Sequence, residues 1–345
     1  MPHDVPDRIL VMTAPATHSS TRERRVATNG IELHVVDAGP DDGRPVVLCH
    51  GFPELAYSWR HQVPALAAAG YHVLAPDQRG YGRSDRPDAI EDYDIHHLTG
   101  DLLGLLDDIG APSAVFVGHD WGSMVVGQMA LLHPDRMDGV AVLSVPLLPR
   151  GAMPPVPMMR QLFGDSFFYI LYFQEPGVAD ADLGADPAET MTRMLAGLSI
   201  PRDEGGDGVD LAGLANPDGR GFVDRLPKAA GRPEWLSQAE LDHYIAEFTR
   251  TGFTGGINWY RNFDRNWETT PELDGAHVTI PSLFITGTAD PVNLMSPATV
   301  MEGHALDHRG STFVEGAGHW VQQEAPDAVN AALLAFLDSL DLGGR

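Results

Sequence analysis

The 345-residue chain has one cysteine, Cys49, and one lysine, Lys228. A single thiol cannot form an internal disulfide, and no cysteine or histidine cluster has zinc-ligand spacing, so neither a disulfide scaffold nor a metal site is expected. Basic side chains are scarce: 23 Lys+Arg against 48 Asp+Glu leave a net charge of −25, which repels phosphate backbones and anionic lipid. Nucleic-acid and membrane-surface binding are excluded as expectations on that ground. Long apolar runs are also missing. Ile9-Leu10-Val11-Met12 is too short for a signal-peptide core, and nothing approaches the ~18 apolar residues of a membrane span. Together these absences predict a cytoplasmic globule without membrane insertion.

What is present is alternation. Residues 1–22 lack periodicity and read as a mobile tail. Segments 24–28 and 31–37 flank Asn29-Gly30, a hairpin signal. Apolar runs at 45–49, 71–75, 114–117 and 139–145 predict buried strands, with helices at 58–69, 98–109 and 121–133 between them. This rhythm predicts a mostly parallel sheet with helices on both faces. It breaks at residue 146 and resumes with strands at 282–286 and 311–314 and a helix at 325–340. The interruption, 146–271, combines an opening run of prolines, aromatic-rich helical pieces and a Gly/Asp/Pro-rich stretch at 200–233. Its methionines (Met153, Met158, Met159, Met191, Met194) suggest a hydrophobic slot. The expected organisation is therefore a tail of residues 1–22, a core of residues 23–145 and 272–345, and an inserted unit of residues 146–271.

Chemistry concentrates at the predicted strand ends. Gly118-His119-Asp120-Trp121-Gly122 follows one strand and precedes a helix, the context of a nucleophile elbow with aspartate at its centre. A carboxylate there can attack carbon and form an ester, with the helix N-terminus and its amides keeping it ionised. It can equally be a helix cap. Its partners favour the first reading. His50-Gly51-Phe52-Pro53 ends the strand at 45–49 and nominates the Phe52 and Trp121 amides as an oxyanion hole. Asp290 and His319 each follow a later strand, so the chain order is nucleophile, acid, histidine, that of an α/β-hydrolase. An aspartate nucleophile suits displacement at saturated carbon, with His319 as general base on water and Asp290 supporting it. Two substrate classes fit, alkyl halides and epoxides. An epoxide oxygen leaves as an alkoxide and needs a proton, which lid tyrosines can supply.

The motifs HGFPE (50–54), DQRGYGRS (77–84), GHDWG (118–122), LYFQEPG (171–177), NWYRNFDRNW (258–267) and GHWVQQE (318–324) resemble the soluble epoxide hydrolases, from about Arg25 onward. The resemblance implies an α/β-hydrolase core with a helical lid inserted after the sixth strand, and conversion of epoxides to vicinal diols without cofactor or metal. It implies Asp120 as nucleophile, Asp290 as acid, His319 as base, and Tyr169 and Tyr260 as the lid tyrosines. Tyr169 is selected over Tyr172 because it lies four residues before the phenylalanine of FQEPG. A small hydrophobic epoxide and water are the implied partners, and a homodimer is an assembly the family allows. The rival readings are a haloalkane dehalogenase, disfavoured by Phe52 where those enzymes typically carry Asn or Gln, and a ligand-binding protein on the same fold, disfavoured by a complete triad.

Overall fold

The computed structural model describes residues 21–199, 215–228 and 231–340. Eight strands form one sheet in the order β1-β2-β4-β3-β5-β6-β7-β8. They are β1 (Arg22–Thr28), β2 (Ile31–Ala38), β3 (Pro45–Cys49), β4 (His72–Pro76), β5 (Ala114–His119), β6 (Met137–Leu143), β7 (Val278–Gly287) and β8 (Ala305–Val314). The β1/β2 and β2/β4 pairs are antiparallel and the rest are parallel. Asn29 and Gly30 turn the first hairpin with φ of 44° and 82°, the sign a two-residue turn of this hand requires.

Helices α1 (Gln62–Ala68), α2 (Ile95–Asp108) and α3 (Trp121–Leu132) connect the early strands. Between β6 and β7 run α4 (Pro155–Phe163), α5 (Tyr169–Tyr172), α6 (Val178–Gly184), α7 (Pro187–Gly197), α8 (Gln238–Thr251), α9 (Thr254–Arg261) and α10 (Phe263–Thr269). The chain closes through α11 (Val292–Met295), α12 (Val321–Glu324) and α13 (Pro326–Ser339). Strands β3 to β6 are buried almost throughout, because helices or insertion cover both faces. Their alternation sorts the core in two. Val46, Leu48, Val115 and Val117 pack with α1 and α13, whereas Val47, Cys49 and Phe116 pack with α2, α3 and the insertion. Each such fully buried aliphatic or aromatic side chain contributes ~1.5–3 kcal/mol relative to exposure.

Several expected boundaries move, each for a local reason. The single helix expected at 58–69 is a 3₁₀ turn, Ala56–Trp59, followed by α1; Pro64 is tolerated only in a first turn, so the α-helix begins at Gln62. The strand expected to reach 145 stops at Leu143 because Ser144 takes φ of 65°. Helix α2 starts three residues early, where the Asp94 carboxylate accepts the His97 N–H at 3.1 Å. Arg22, assigned to the tail, opens β1; residues 1–20 of that tail, and 200–214 with 229–230 of the Gly/Asp/Pro-rich stretch, lie outside the described residues. Of the methionines in the insertion, Met191 and Met194 are buried in the core and Met158 is exposed.

The order β4-β3-β5 reverses the direction of winding at β3, so the carboxyl ends of β3 and β5 flank a crevice. Cys49 pairs with Gly118 there, which sets the loop after β3 beside the residue after β5. Strands β7 and β8 end on the same edge, ahead of Asp290 and His319.

Candidate active site

Asp120 links β5 to α3 with φ of 52° and ψ of −119°, a strained conformation for a residue with a side chain, costing ~1–3 kcal/mol. The turn closes only because the backbone comes very near its neighbours: a Cβ on Gly122 would strike the Cys49 carbonyl. The Asp120 side chain does not cap α3. Its Oδ1 instead accepts the Phe52 N–H at 2.8 Å, and the Trp121 N–H also donates to the carboxylate. The capping reading is thereby set aside, and the two amides nominated from sequence converge on this carboxylate. Its ionisation is less favoured than expected. Burial raises the Asp120 carboxyl above the ordinary carboxylate value, and His319, His119 and the two amides oppose it without reversing it.

His319 Nε2 lies 3.7 Å from Asp120 Oδ2, and Nδ1 lies 3.2 Å from both oxygens of Asp290. Asp290 is held in turn by the Val292 N–H at 2.9 Å. Asp290 is buried, yet His319 and the Val292 N–H keep its carboxyl below the ordinary value. Nδ1–H therefore donates to Asp290, leaving Nε2 directed at Asp120. Burial disfavours the imidazolium of His319, but the charge and hydrogen bond of Asp290 and the charge of Asp120 outweigh it, and the pKa is pushed up to about 9. A folded-state pKa above the ordinary 6.5 stabilises the fold fully below pH 6.5, and that contribution is lost as the pH rises through about 9. Neutralising Asp120 removes one of the charges responsible. In Asp120→Asn, the His319 pKa read by NMR titration is expected to fall from about 9 by about one pH unit. An unchanged pKa contradicts this account of its electrostatics.

Behind the triad lies a buried network that the sequence did not reveal. Glu54 takes four donors: the Gly51 N–H at 3.0 Å and His119 Nδ1 at 2.6 Å on Oε2, and the Gln322 and Gln323 side-chain amides at 2.9 and 3.0 Å on Oε1. Burial acts against its charge, but His119 and these donors hold its pKa down at about 2. His119 Nε2 then donates to the His319 carbonyl at 2.8 Å. Each member sits inside a motif already quoted, HGFPE, GHDWG or GHWVQQE, but only the fold brings positions 54, 119 and 322–323 together. His50 Nδ1–H donates to the Gly51 carbonyl at 2.9 Å while Nε2 accepts the Gln78 N–H at 3.0 Å, fixing the turn that ends in buried Pro53.

Above Asp120 stands an aromatic box. The rings of Tyr169 and Tyr260 meet edge-on at 5.9 Å, and both pack on Phe173, with Phe52 against Tyr260 and Phe222 against Tyr169. Burial first, and then the Asp120 charge, raise the pKa of the Tyr169 phenol; burial, Tyr169 and Asp120 do the same at Tyr260. Both therefore keep their protons at neutral pH. The Trp121 side chain lies edge-on to the Tyr260 ring at 5.0 Å, and its indole N–H donates to the phenol oxygen. Tyr172 is engaged otherwise: its O–H donates to Asp182 at 3.2 Å. Among the described residues no group of three or more His, Cys, Asp or Glu is placed to hold a metal ion, and no helix is long and apolar enough to cross a membrane.

Residues 44–326 match the family described as alpha/beta hydrolase fold. The chain is 61% identical over 324 residues to Epoxide hydrolase A of Mycobacterium tuberculosis, covering 93% of this chain and 98% of that protein. It is 38% identical over 309 residues to Bifunctional epoxide hydrolase 2 of Rattus norvegicus, covering 89% of this chain and 54% of that one. The crystal structure of Epoxide Hydrolase A from Mycobacterium thermoresistibile superposes with a TM-score of 0.88 at 58% identity, covering 93% and 99% of the two chains. By fold and by sequence, the chain belongs to the epoxide hydrolases of the α/β-hydrolase family.

Proposed function

We propose that the chain opens small hydrophobic epoxides to vicinal diols through an ester on Asp120, with residues 146–271 acting as a lid. The observation that carries the reading is a pair of buried, protonated phenols, edge-on to each other and both subject to the Asp120 charge, beside a carboxylate whose Oδ1 accepts the Phe52 N–H. Phe52 N–H holds Oδ1, so Oδ2 is the oxygen that attacks a ring carbon. The carbon–oxygen bond of the ring breaks, its electron pair goes to the epoxide oxygen, and Tyr169 or Tyr260 donates the proton. The product of this step is an alkyl ester of Asp120.

Esterification removes the negative charge facing His319. Its pKa then falls from about 9 toward the ordinary histidine value, so the imidazolium gives up its proton, which restores the phenol of the tyrosinate left by the first step, and His319 becomes a base. Neutral His319 takes a proton from water as the water oxygen attacks Cγ of the ester. The developing negative charge settles on Oδ1, between the amides of Phe52 and Trp121. Collapse breaks the bond from Cγ to Oδ2 and releases the diol, which recovers its proton from His319; the carboxylic acid left on Asp120 then gives its proton to His319, restoring the carboxylate and the imidazolium. Asp290 keeps Nδ1 protonated and the ring oriented throughout.

The dehalogenase reading has less support. A halide leaves as an anion that needs N–H donors, yet the Trp121 indole N–H is engaged by Tyr260 and position 52 is phenylalanine. The test is a single turnover in ¹⁸O-labelled water. The label is expected in the Asp120 carboxylate and not in the first diol released, and His319→Gln is expected to accumulate the alkyl-enzyme, seen by intact-protein mass spectrometry. Unlabelled protein with labelled diol, or halide release from chloroalkanes with epoxides untouched, overturns the proposal.

A further inference from the structure

The Asp120, Asp290, His319 and tyrosine roles leave Glu324 unused, although it closes the motif GHWVQQE. Glu324 lies at the end of α12, partly buried, and its carboxylate straddles the histidine. Oε2 accepts the N–H of Gly318 at 2.8 Å, and Oε1 accepts the N–H of Trp320 at 2.9 Å. These are the backbone amides immediately before and after His319. The same Oε1 lies 3.1 Å from the Ser199 hydroxyl, which belongs to the insertion just past α7 and shares its proton with the Leu195 carbonyl at 2.9 Å. Ser199 is itself fixed by the Trp235 indole N–H at 3.1 Å.

A second contact joins the same two segments. The His319 N–H donates to the Leu198 carbonyl at 3.1 Å. Leu198 and Ser199 pack so closely on Gly318 that a Cβ there would lie 2.5 Å from the Leu198 oxygen and 2.8 Å from the Ser199 Cα. Three consecutive amides, 318 to 320, are therefore held by one carboxylate and one carbonyl of the insertion. With the His319 carbonyl bonded to His119 and to the Ser144 hydroxyl, every backbone polar group of the histidine is fixed.

We infer that Glu324 is a positioning residue for His319, and that Ser199 of the insertion holds Glu324 in that role. Only a carboxylate can accept from both flanking amides at once. A glutamine there turns an NH₂ group toward one of them, donor against donor, and lets the loop shift. The inference rests on the two-step reading above, and that reading makes it specific. His319 acts on the ester and not on the epoxide, so a displaced His319 slows the second step alone.

The experiment follows one turnover of a terminal aryl epoxide by rapid quench and intact-protein mass spectrometry, which reads formation and decay of the covalent species separately. In Glu324→Gln, decay is expected to slow about 10- to 100-fold, with formation within about 2-fold of wild type. In Ser199→Ala, which leaves both amide contacts to Glu324 in place, decay is expected to slow about 3-fold, again with formation unchanged. If Glu324→Gln does not yield folded protein, Ser199→Ala carries the test by the same two rates. Decay at the wild-type rate in Glu324→Gln, or formation slowed as much as decay, overturns the positioning role. Unchanged decay in Ser199→Ala overturns the part assigned to the insertion. Failure of the underlying mechanism is distinguishable, because then no covalent species forms even in His319→Gln.

Discussion

Asp120→Ala is expected to lose at least about 10⁴-fold in kcat/KM toward any epoxide the wild type accepts, and to show no covalent species at any time. The size of the loss follows from the absence of a substitute. Asp290 faces His319 Nδ1 with both oxygens, and Glu54 is closed off by four donors at the back of the site. Neither can reach a substrate carbon. The fold is expected to persist, since alanine removes a buried charge and keeps the backbone as it is, and circular dichroism checks this. Residual turnover above about 1% in folded protein contradicts Asp120 as the nucleophile.

The second large effect concerns the two phenols. Tyr169→Phe and Tyr260→Phe each remove one O–H and leave the ring in place among Phe52, Phe173 and Phe222. A single loss is expected to slow alkylation about 10- to 100-fold, because the remaining phenol still donates to the epoxide oxygen. The double variant leaves an alkoxide with no proton donor and is expected to lose about 10³- to 10⁴-fold, more than either phenol alone predicts. Tyr172→Phe serves as the control, because its O–H is bound to Asp182, and it is expected to alkylate at the wild-type rate. A double variant within about 10-fold of wild type contradicts acid assistance by these residues.

Much of this was legible in the chain because strand ends announce themselves. A buried parallel strand is a short apolar run, and a glycine close after it marks a turn, so positions 120, 290 and 319 were readable one at a time. The first half of β8 was not. Ala305 to Gly310 contains Asp307, His308 and Arg309 on an edge strand open to solvent, and an exposed edge leaves no apolar run to detect. The partners of Glu54 were hidden for a different reason. A buried carboxylate satisfied by four donors from three places along the chain has no local pattern. Tyr169 and Tyr172 differ by less than one helical turn, yet the first packs on Tyr260 and Phe222 and the second on Phe167 with its O–H bonded to Asp182. The insertion was legible as an interruption of rhythm, but its attachment was not: Arg265 pairs with Asp94 at 2.8 Å and Tyr244 bonds Ser58 at 2.8 Å, contacts that no spacing encodes.

The bond from the His319 amide to the Leu198 carbonyl bears on how such enzymes diverge and can be recombined. Exchange of an inserted segment leaves the rest of a fold unchanged only where the two make no shared hydrogen bonds. Here the 146–271 insertion supplies part of the seat of the histidine that the proposed mechanism uses as its base. A chimera that imports a foreign 146–271 without its matching 318–324 inherits a mismatched pair, and selection acting on either stretch is constrained by the other.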